Sequence, residues 1–340
     1  MPRRGPRLVL AVLLLVPVTA VLGFRLADAD GVTPVPQLLA FLPWLLAPAG
    51  LGLLLAGLAR WWTGVVWGVA LLGLLAWYIE PYGTVERPGG TPLATVRVLT
   101  SNVEFGGGTA ALIGLVRDER PDLVFVQECD RHCDGRLRAE LAGEDPADAH
   151  PTDRHSADRR PSDRHPAHTY PYRAAVEGEG SAGSLILSRF PLTPAEPLPG
   201  TLGMPGAVAD VGGHDVRVQL AHPMPPLPAG LDVWREELDV LRDWARAHAD
   251  APAILAGDFN ATQDHAAFRR VLDAGMRDAA RLTGHDRTPT WPARTAPPLG
   301  AQIDHVLVSR DFSARATRFL DPAGTDHRAV LAELTLHAPE

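Results

Sequence analysis

The sequence predicts an α/β domain of packed sheets with helices outside, preceded by an N-terminal transmembrane helical region. Three observations predict it. Residues 1–80 hold five of the eight tryptophans but only eight charges. Beyond them, short β-branched and apolar runs mix with helix-period segments in no strict βαβ rhythm. Polar residues able to do chemistry recur at the ends of those runs. A chain of 340 residues allows about two units at roughly 150 residues each. Its 46% hydrophobic content excludes wholesale disorder.

In residues 1–80, Leu8–Phe24 is an uncharged run of 17 behind Arg3, Arg4 and Arg7. It is either a signal peptide, with Ala27-Asp28-Ala29 as a small-x-small cleavage site, or a short first span. Leu38–Ala59 and Trp61–Ile79 are uncharged over 22 and 19 residues, near the ~20 that cross a bilayer as helix. Pro43 and Pro48 predict a kink or a late helix start in the second run. Trp61, Trp62, Trp77 and Tyr78 bracket the third like an interfacial belt. Buried helices of a soluble core would keep a polar stripe. Arg3, Arg4, Arg7 and Arg60 face the cytoplasm, while the 27–36 loop, with Asp28 and Asp30, faces out. The expectation is a multi-pass cell-membrane anchor with everything after Ile79 extracytoplasmic. Its spans lack internal charge, which argues against a transporter.

Cys129 and Cys133 are the only cysteines. On the oxidising side they form either a local disulfide or two free thiols. With no second cysteine pair, a zinc site is disfavoured. All 32 basic residues are arginine, which excludes a lysine Schiff base and a Walker-type phosphate loop. Beyond residue 80 there are 27 arginines against 37 acidic residues, so no basic face is available to grip long nucleic acid nonspecifically.

Residues 81–94 read as a Gly/Pro-rich linker, and 95–338 as the second unit. Its strands are Thr95–Leu99, Asp122–Val126, Ser184–Leu187, Val216–Leu220, Ala253–Leu255, Ile303–Val308 and Val330–Leu336. Its helices are Ala110–Arg120, Leu231–His248 and His265–Ala274. Residues 144–168 carry a duplicated motif, Pro151-Thr152-Asp153-Arg154-His155 and Pro161-Ser162-Asp163-Arg164-His165. Without apolar periodicity, this insert is expected to be disordered, and its histidines to be solvated rather than metal-binding.

Asn102 follows the first strand and Glu128 the second; His222 follows Val216–Leu220. Gly257-Asp258-Phe259-Asn260 ends another, Ile303-Asp304-His305 opens one, and Thr325-Asp326-His327 precedes the last. Carboxylates, amides and imidazoles gathered at one sheet edge are the equipment of metal-assisted hydrolysis. Singly each is weak, since a strand-terminal Asn is usually a turn former. Together, in this order, they are specific.

With Ser101-Asn102, Val126-Gln127-Glu128, Leu187-Ser188-Arg189-Phe190-Pro191, His222, Gly257-Asp258-Phe259-Asn260, Ile303-Asp304-His305 and Thr325-Asp326-His327-Arg328, the chain resembles the endonuclease/exonuclease/phosphatase superfamily of DNase I-like phosphoesterases. The resemblance covers 95–336 and implies a four-layer α/β sandwich. It implies that Glu128 binds Mg²⁺ (or Mn²⁺), with Asn102 and Asp326 in or near the shell. Hard oxygen donors and few carboxylates suit that ion. It implies that His327, oriented by Asp304, is general base or phosphate contact. Asp258 would handle the attacking water or leaving group, Asn260 would bond a phosphate oxygen, and His222 would stabilise the transition state. Tyr170 and Tyr172 are candidates for a tyrosine near the phosphate. His305 reads as a strand residue, Trp291 as a substrate platform or, more simply, a core anchor, and Arg189 as a brace for its strand end. Pro223-Met224-Pro225-Pro226 gives His222 a stiff exit.

The expected function is a membrane-tethered phosphoesterase acting on nucleic acid, a phospholipid headgroup or a nucleotide, with no obligate protein partner. The alternative is a catalytically silent membrane protein using the same fold as a binding module. Retention of both the metal carboxylate and the histidine pair argues against it.

Overall fold

The computed structural model describes residues 4–86, 88–142, 169–296 and 299–339. The expected insert at 144–168 lies outside the described residues. Four apolar helices come first: α1 (Arg4–Leu26), α2 (Val35–Ala40), α3 (Leu46–Leu58) and α4 (Trp62–Ile79). The run read as one segment over Leu38–Ala59 is broken into α2, a 3₁₀ turn at Leu42–Leu45, and α3. Pro43 sits in that turn, where its missing N–H and ring stop an α-helix from running through. Leu15, Leu22, Leu39, Leu42 and Leu75 pack these helices together. Two of them, Gly5–Leu26 and Trp62–Ile79, are long and apolar enough to cross a membrane.

Two mixed six-stranded sheets follow. The first contains β1 (Pro92–Asn102), β2 (Leu123–Gln127), β3 (Tyr172–Val176), β4 (Ser184–Ser188), β11 (Phe312–Leu320) and β12 (Ala329–His337), in the order β11-β12-β1-β2-β4-β3. The second contains β5 (Leu192–Leu198), β6 (Met204–Asp210), β7 (Asp215–Ala221), β8 (Ala253–Asp258), β9 (Arg277–Asp278) and β10 (Asp304–Val308), in the order β5-β6-β7-β8-β10-β9. Each sheet has one parallel pair at its centre, β1 with β2 and β7 with β8, and antiparallel neighbours on either side. A parallel pair needs a crossover. α5 (Thr109–Glu119) supplies the first and α7 (Leu231–Ala247) the second.

The inner faces meet through Val98, Phe125, Ile186, Val218, Ile254, Val306 and Val330. Outside the first sheet, α5 and α6 (Arg131–Leu141) cover Leu99, Val124 and Leu187. Outside the second, α7 and α8 (Ala266–Asp273) cover Leu255 and Leu307, with Trp234 and Phe268 fully buried. A short helix, α9 (Ala279–Leu282), follows β9. The layers therefore run helix, sheet, sheet, helix. Cys129 and Cys133 are disulfide-bonded at the start of α6.

The N-terminal helices touch this sandwich through polar contacts at one end. The Asp30 carboxylate accepts from the first two backbone N–H groups of α8, Ala266 at 2.7 Å and Ala267 at 3.1 Å. Arg287 donates to both oxygens of Asp264 and to the carbonyls of Tyr78 and Ile79. In the segment expected as a linker, the Tyr82 hydroxyl donates to Asp273.

Candidate active site

The two parallel pairs decide where the functional side chains go. Parallel neighbours present their C-terminal ends on the same edge, so β1 and β2 deliver Asn102 and Glu128 while β7 and β8 deliver His222 and Asp258. β10 is antiparallel to β8, and its first residue, Asp304, lies opposite Asp258 in register. β12 is antiparallel to β1, which puts His327, two residues before its start, at the same edge.

Gly257 is required by close approach. Its φ is +155°, and a Cβ there would lie 2.0 Å from the Ala221 carbonyl oxygen of β7. Glu128 (φ 57°) and Asn260 (φ 48°) both sit in the left-handed region, a conformation that non-glycine residues adopt rarely and that concentrates at functional sites.

Asn102 is the hub. Its Nδ2 donates to Glu128 Oε1 at 3.2 Å and to Asp258 Oδ2 at 3.1 Å. Its Oδ1 accepts from the Glu104 N–H, which fixes the amide orientation. Asn102 therefore turns its N–H groups, not its oxygen, towards the two carboxylates. Glu128 Oε2 accepts from the Phe105 N–H at 3.0 Å. Asp258 Oδ1 accepts from the Asn260 N–H, and Asn260 Nδ2 donates to the Pro223 carbonyl.

His327 Nδ1 lies 2.9 Å from Asp304 Oδ2. Its Nε2 lies 3.8 Å from both Asp258 Oδ2 and Asp326 Oδ1. Asp326 Oδ2 accepts from Trp291 Nε1 at 2.9 Å. His222 Nδ1 lies 3.5 Å from Ser184 Oγ. Asn102, His222, Asp258, Asp304 and His327 are all buried, whereas Glu128, Asn260 and Asp326 are half-buried.

Burial on its own would lower the His327 pKa, but Asp304, Asp258 and Asp326 outweigh it and raise it to about 10. Asp258 is pushed up to about 7, first by burial and then by the Asp304 charge. His222 is pushed down to about 3 by burial and by its proximity to His327. The site thus pairs a cationic imidazole with a neutral one. Asp258, Asp304 and His327 also bring one ligand atom each within 4.8 Å of one another.

Trp291 and Tyr170 lie elsewhere than the sequence suggests. Trp291 is half-buried and bonded to Asp326 rather than anchored in the core. Tyr170 is buried in the helical layer and donates to the Pro121 carbonyl just before β2, the strand end opposite Glu128. His305 is a buried strand residue bonded to Asp278. Arg189 holds Asp122 at the base of β2. Two threonines brace these groups. Thr290 Oγ1 accepts from the backbone of Ile303 and Asp304, while Thr325 Oγ1 donates to the Asn102 carbonyl and accepts from the His327 N–H. Thr325 sits beside the Asp-His pair it braces, and that adjacency was the available signal.

No curated protein matches the sequence. Among solved structures, an endonuclease/exonuclease/phosphatase from Beutenbergia cavernae DSM 12333 aligns with a TM-score of 0.53 at 20% identity, over 72% of each chain. A humanized D. rerio TDP2 aligns with a TM-score of 0.55 at 15% identity, over 71% of this chain and 98% of that one. D. rerio TDP2 complexed with single strand DNA product gives 0.53 at 15%, with the same coverage. These likenesses establish the fold. The Endonuclease/Exonuclease/phosphatase family matches residues 99–327, from the end of β1 through the His327 dyad. The chain belongs to that family.

Proposed function

We propose that this protein is a membrane-tethered, divalent-cation-dependent phosphoesterase with its catalytic domain outside the cytoplasm. The observation that carries the activity is the buried Asp304–His327–Asp258 cluster joined through Asn102 to Glu128. Two carboxylates converging on one amide leave an excess of negative charge, and oxygen donors of that kind fit Mg²⁺ or Mn²⁺. Glu128 would hold the ion with Asp326 nearby. Asn102, whose Oδ1 accepts from the Glu104 N–H while its Nδ2 donates to Glu128, would orient that carboxylate rather than ligate the ion, contrary to the sequence expectation. Bound there, it would neutralise phosphate charge and polarise the phosphorus–oxygen bond.

The other roles belong to the chain itself. A His327 that keeps its proton to about 10 suits a phosphate contact that steadies negative charge in the transition state, and this displaces it from the role of base. Asp304 orients that ring. Asp258, raised towards neutrality, is positioned to take a proton from the attacking water. Asn260 commits one amide hydrogen to Pro223 and keeps the other for a phosphate oxygen. His222, neutral above about 3, hydrogen-bonds without adding charge.

Tethering is supported by what the N-terminal helices expose. Only 28% and 22% of the two apolar windows are buried. Leu13, Trp62, Val66 and Trp77 stand open. A lipid bilayer is the solvent that suits such a surface. The arginine-poor 27–36 loop lies at the end that meets the sandwich, which supports the reading of an outward-facing domain.

Hydrolysis of a phosphodiester panel by the full chain, with and without Mg²⁺, tests the activity. Ion-dependent release of phosphate product supports it. Its absence from folded protein refutes it.

A further inference from the structure

The sheet edge that carries the site is also the edge that meets the N-terminal helices. Four residues after His222, the Pro226 carbonyl accepts from the Gln37 side chain at the start of α2. After Asp258, the chain runs through Asn260 to His265, whose Nε2 lies 2.8 Å from the Pro36 carbonyl oxygen. Asp28, Asp30, Gly31, Pro36 and Gln37 on one side, and Tyr78 and Ile79 on the other, all lie where α1 ends, α2 begins and α4 ends. The contact is closed to water. Asp30 is 4% exposed, Asp264 1% and His265 0%. The site thus lies a short length of chain from the end of the helices that meets the sandwich.

We propose that the phosphoester this site takes is carried by a phospholipid headgroup in the outer face of the same membrane. This rests on the reading of the chain as a tethered phosphoesterase, and three features carry it further. Four residues of chain span at most about 14 Å, so His222 lies within reach of the headgroup layer, which extends roughly 5–8 Å beyond the hydrocarbon. Two apolar side chains stand open on segments that lead from the site. Leu227, next to Pro226, is 53% exposed, and Phe105, whose N–H bonds Glu128, is 63% exposed. The domain also has an acidic excess, 37 acids against 27 arginines beyond residue 80. That repels a polyphosphate chain but is tolerable for a headgroup with one phosphate. In the reaction water supplies the hydroxyl that bonds phosphorus. The bond from phosphorus to the leaving alcohol oxygen breaks, and that oxygen takes the proton.

The experiment uses the full chain reconstituted into vesicles of phosphatidylcholine and phosphatidylglycerol with Mg²⁺ or Mn²⁺. Parallel arms offer the dibutyryl forms of the same lipids as monomers, bis(p-nitrophenyl) phosphate, and single-stranded DNA. The expected result is headgroup hydrolysis at least tenfold faster in vesicles than for the monomeric lipids at equal bulk concentration. That rate should climb with the surface fraction of substrate lipid, and Leu227→Asp should lower the ratio of vesicle to chromogenic turnover about tenfold. DNA or the monomeric lipids turned over faster than vesicle lipid would overturn the lipid assignment and leave the phosphoesterase reading standing. No turnover of any substrate by folded protein would overturn both. A chain that fails to float with vesicles would overturn the tether, and the lipid assignment with it.

Discussion

With its ring buried and the His327 cation nearby, His222 stays neutral down to about pH 3, while His327, facing Asp304, Asp258 and Asp326, holds its proton to about 10. An unfolded imidazole titrates near 6.5. As pH falls below 6.5, the unfolded chain binds a proton at His222 that the folded chain refuses. That contribution to stability is therefore intact above 6.5 and drains away towards 3. His327 behaves in the opposite sense: its contribution is full below 6.5 and is lost as pH rises through 10. Asp258, raised to about 7, keeps a proton that the unfolded chain releases near 4, so it offsets the His222 loss on the acid side. Denaturant midpoints should therefore stay nearly level from about pH 4 to 6.5 and fall from about 7 to 10, and His222→Asn should make them fall with rising pH from about 4 onward. Asp304→Asn removes the carboxylate hydrogen-bonded to His327 and should shift the alkaline loss to lower pH. The same substitution should cut turnover roughly 10²-fold, as for a lost acid–base or positioning partner. Adding it to His327→Ala should do little more, because the pair acts as a unit.

The elements show which features local sequence could signal. Strands β1, β2, β4, β7, β8, β10 and β12 are buried runs that announce themselves. β5 does not: it carries Pro194 and Pro197, and it survives as an exposed edge strand where those residues owe no ladder bonds. β11 is an edge strand with three arginines or serines facing out, too polar to be read from pattern. α6 contains Gly135 and buries only Cys133, Leu137 and Leu141, so its apolar stripe is thin. The disulfide at its start closes a very short loop, and its removal should cost about 2 kcal/mol by loop entropy, measurable as a lower melting temperature of Cys133→Ser or on reduction. No sequence pattern revealed that Asp30 caps α8. Asp30→Ala would leave two helix N–H groups without that acceptor and should destabilise the chain by about 1–2 kcal/mol, read from the thermal midpoint of the full-length protein.

At the scale of the molecule, the two sheets repeat one pattern, a central parallel pair flanked by antiparallel strands. That pattern explains why motifs scattered from Asn102 to His327 converge. Their order along the chain was legible, because each follows or precedes a recognisable strand. Their partners were not: that Asn102 bridges Glu128 to Asp258, 156 positions from it, depends on how two sheets face each other. The attachment of the N-terminal helices was equally hidden, since nothing in the sequence pairs Asp30 with Ala266, Pro36 with His265 or Tyr78 with Arg287.

The central claim is that this sheet edge is a cation-dependent phosphoesterase site organised around Glu128. The most direct measurement is steady-state hydrolysis of bis(p-nitrophenyl) phosphate by the full chain and by Glu128→Gln, each with Mg²⁺ and with EDTA, alongside thermal melts of both proteins. The account predicts turnover that requires the ion, and a Glu128→Gln rate at least roughly 10²-fold lower at an unchanged melting temperature. Turnover undiminished in EDTA, or full activity in a folded Glu128→Gln protein, would contradict it.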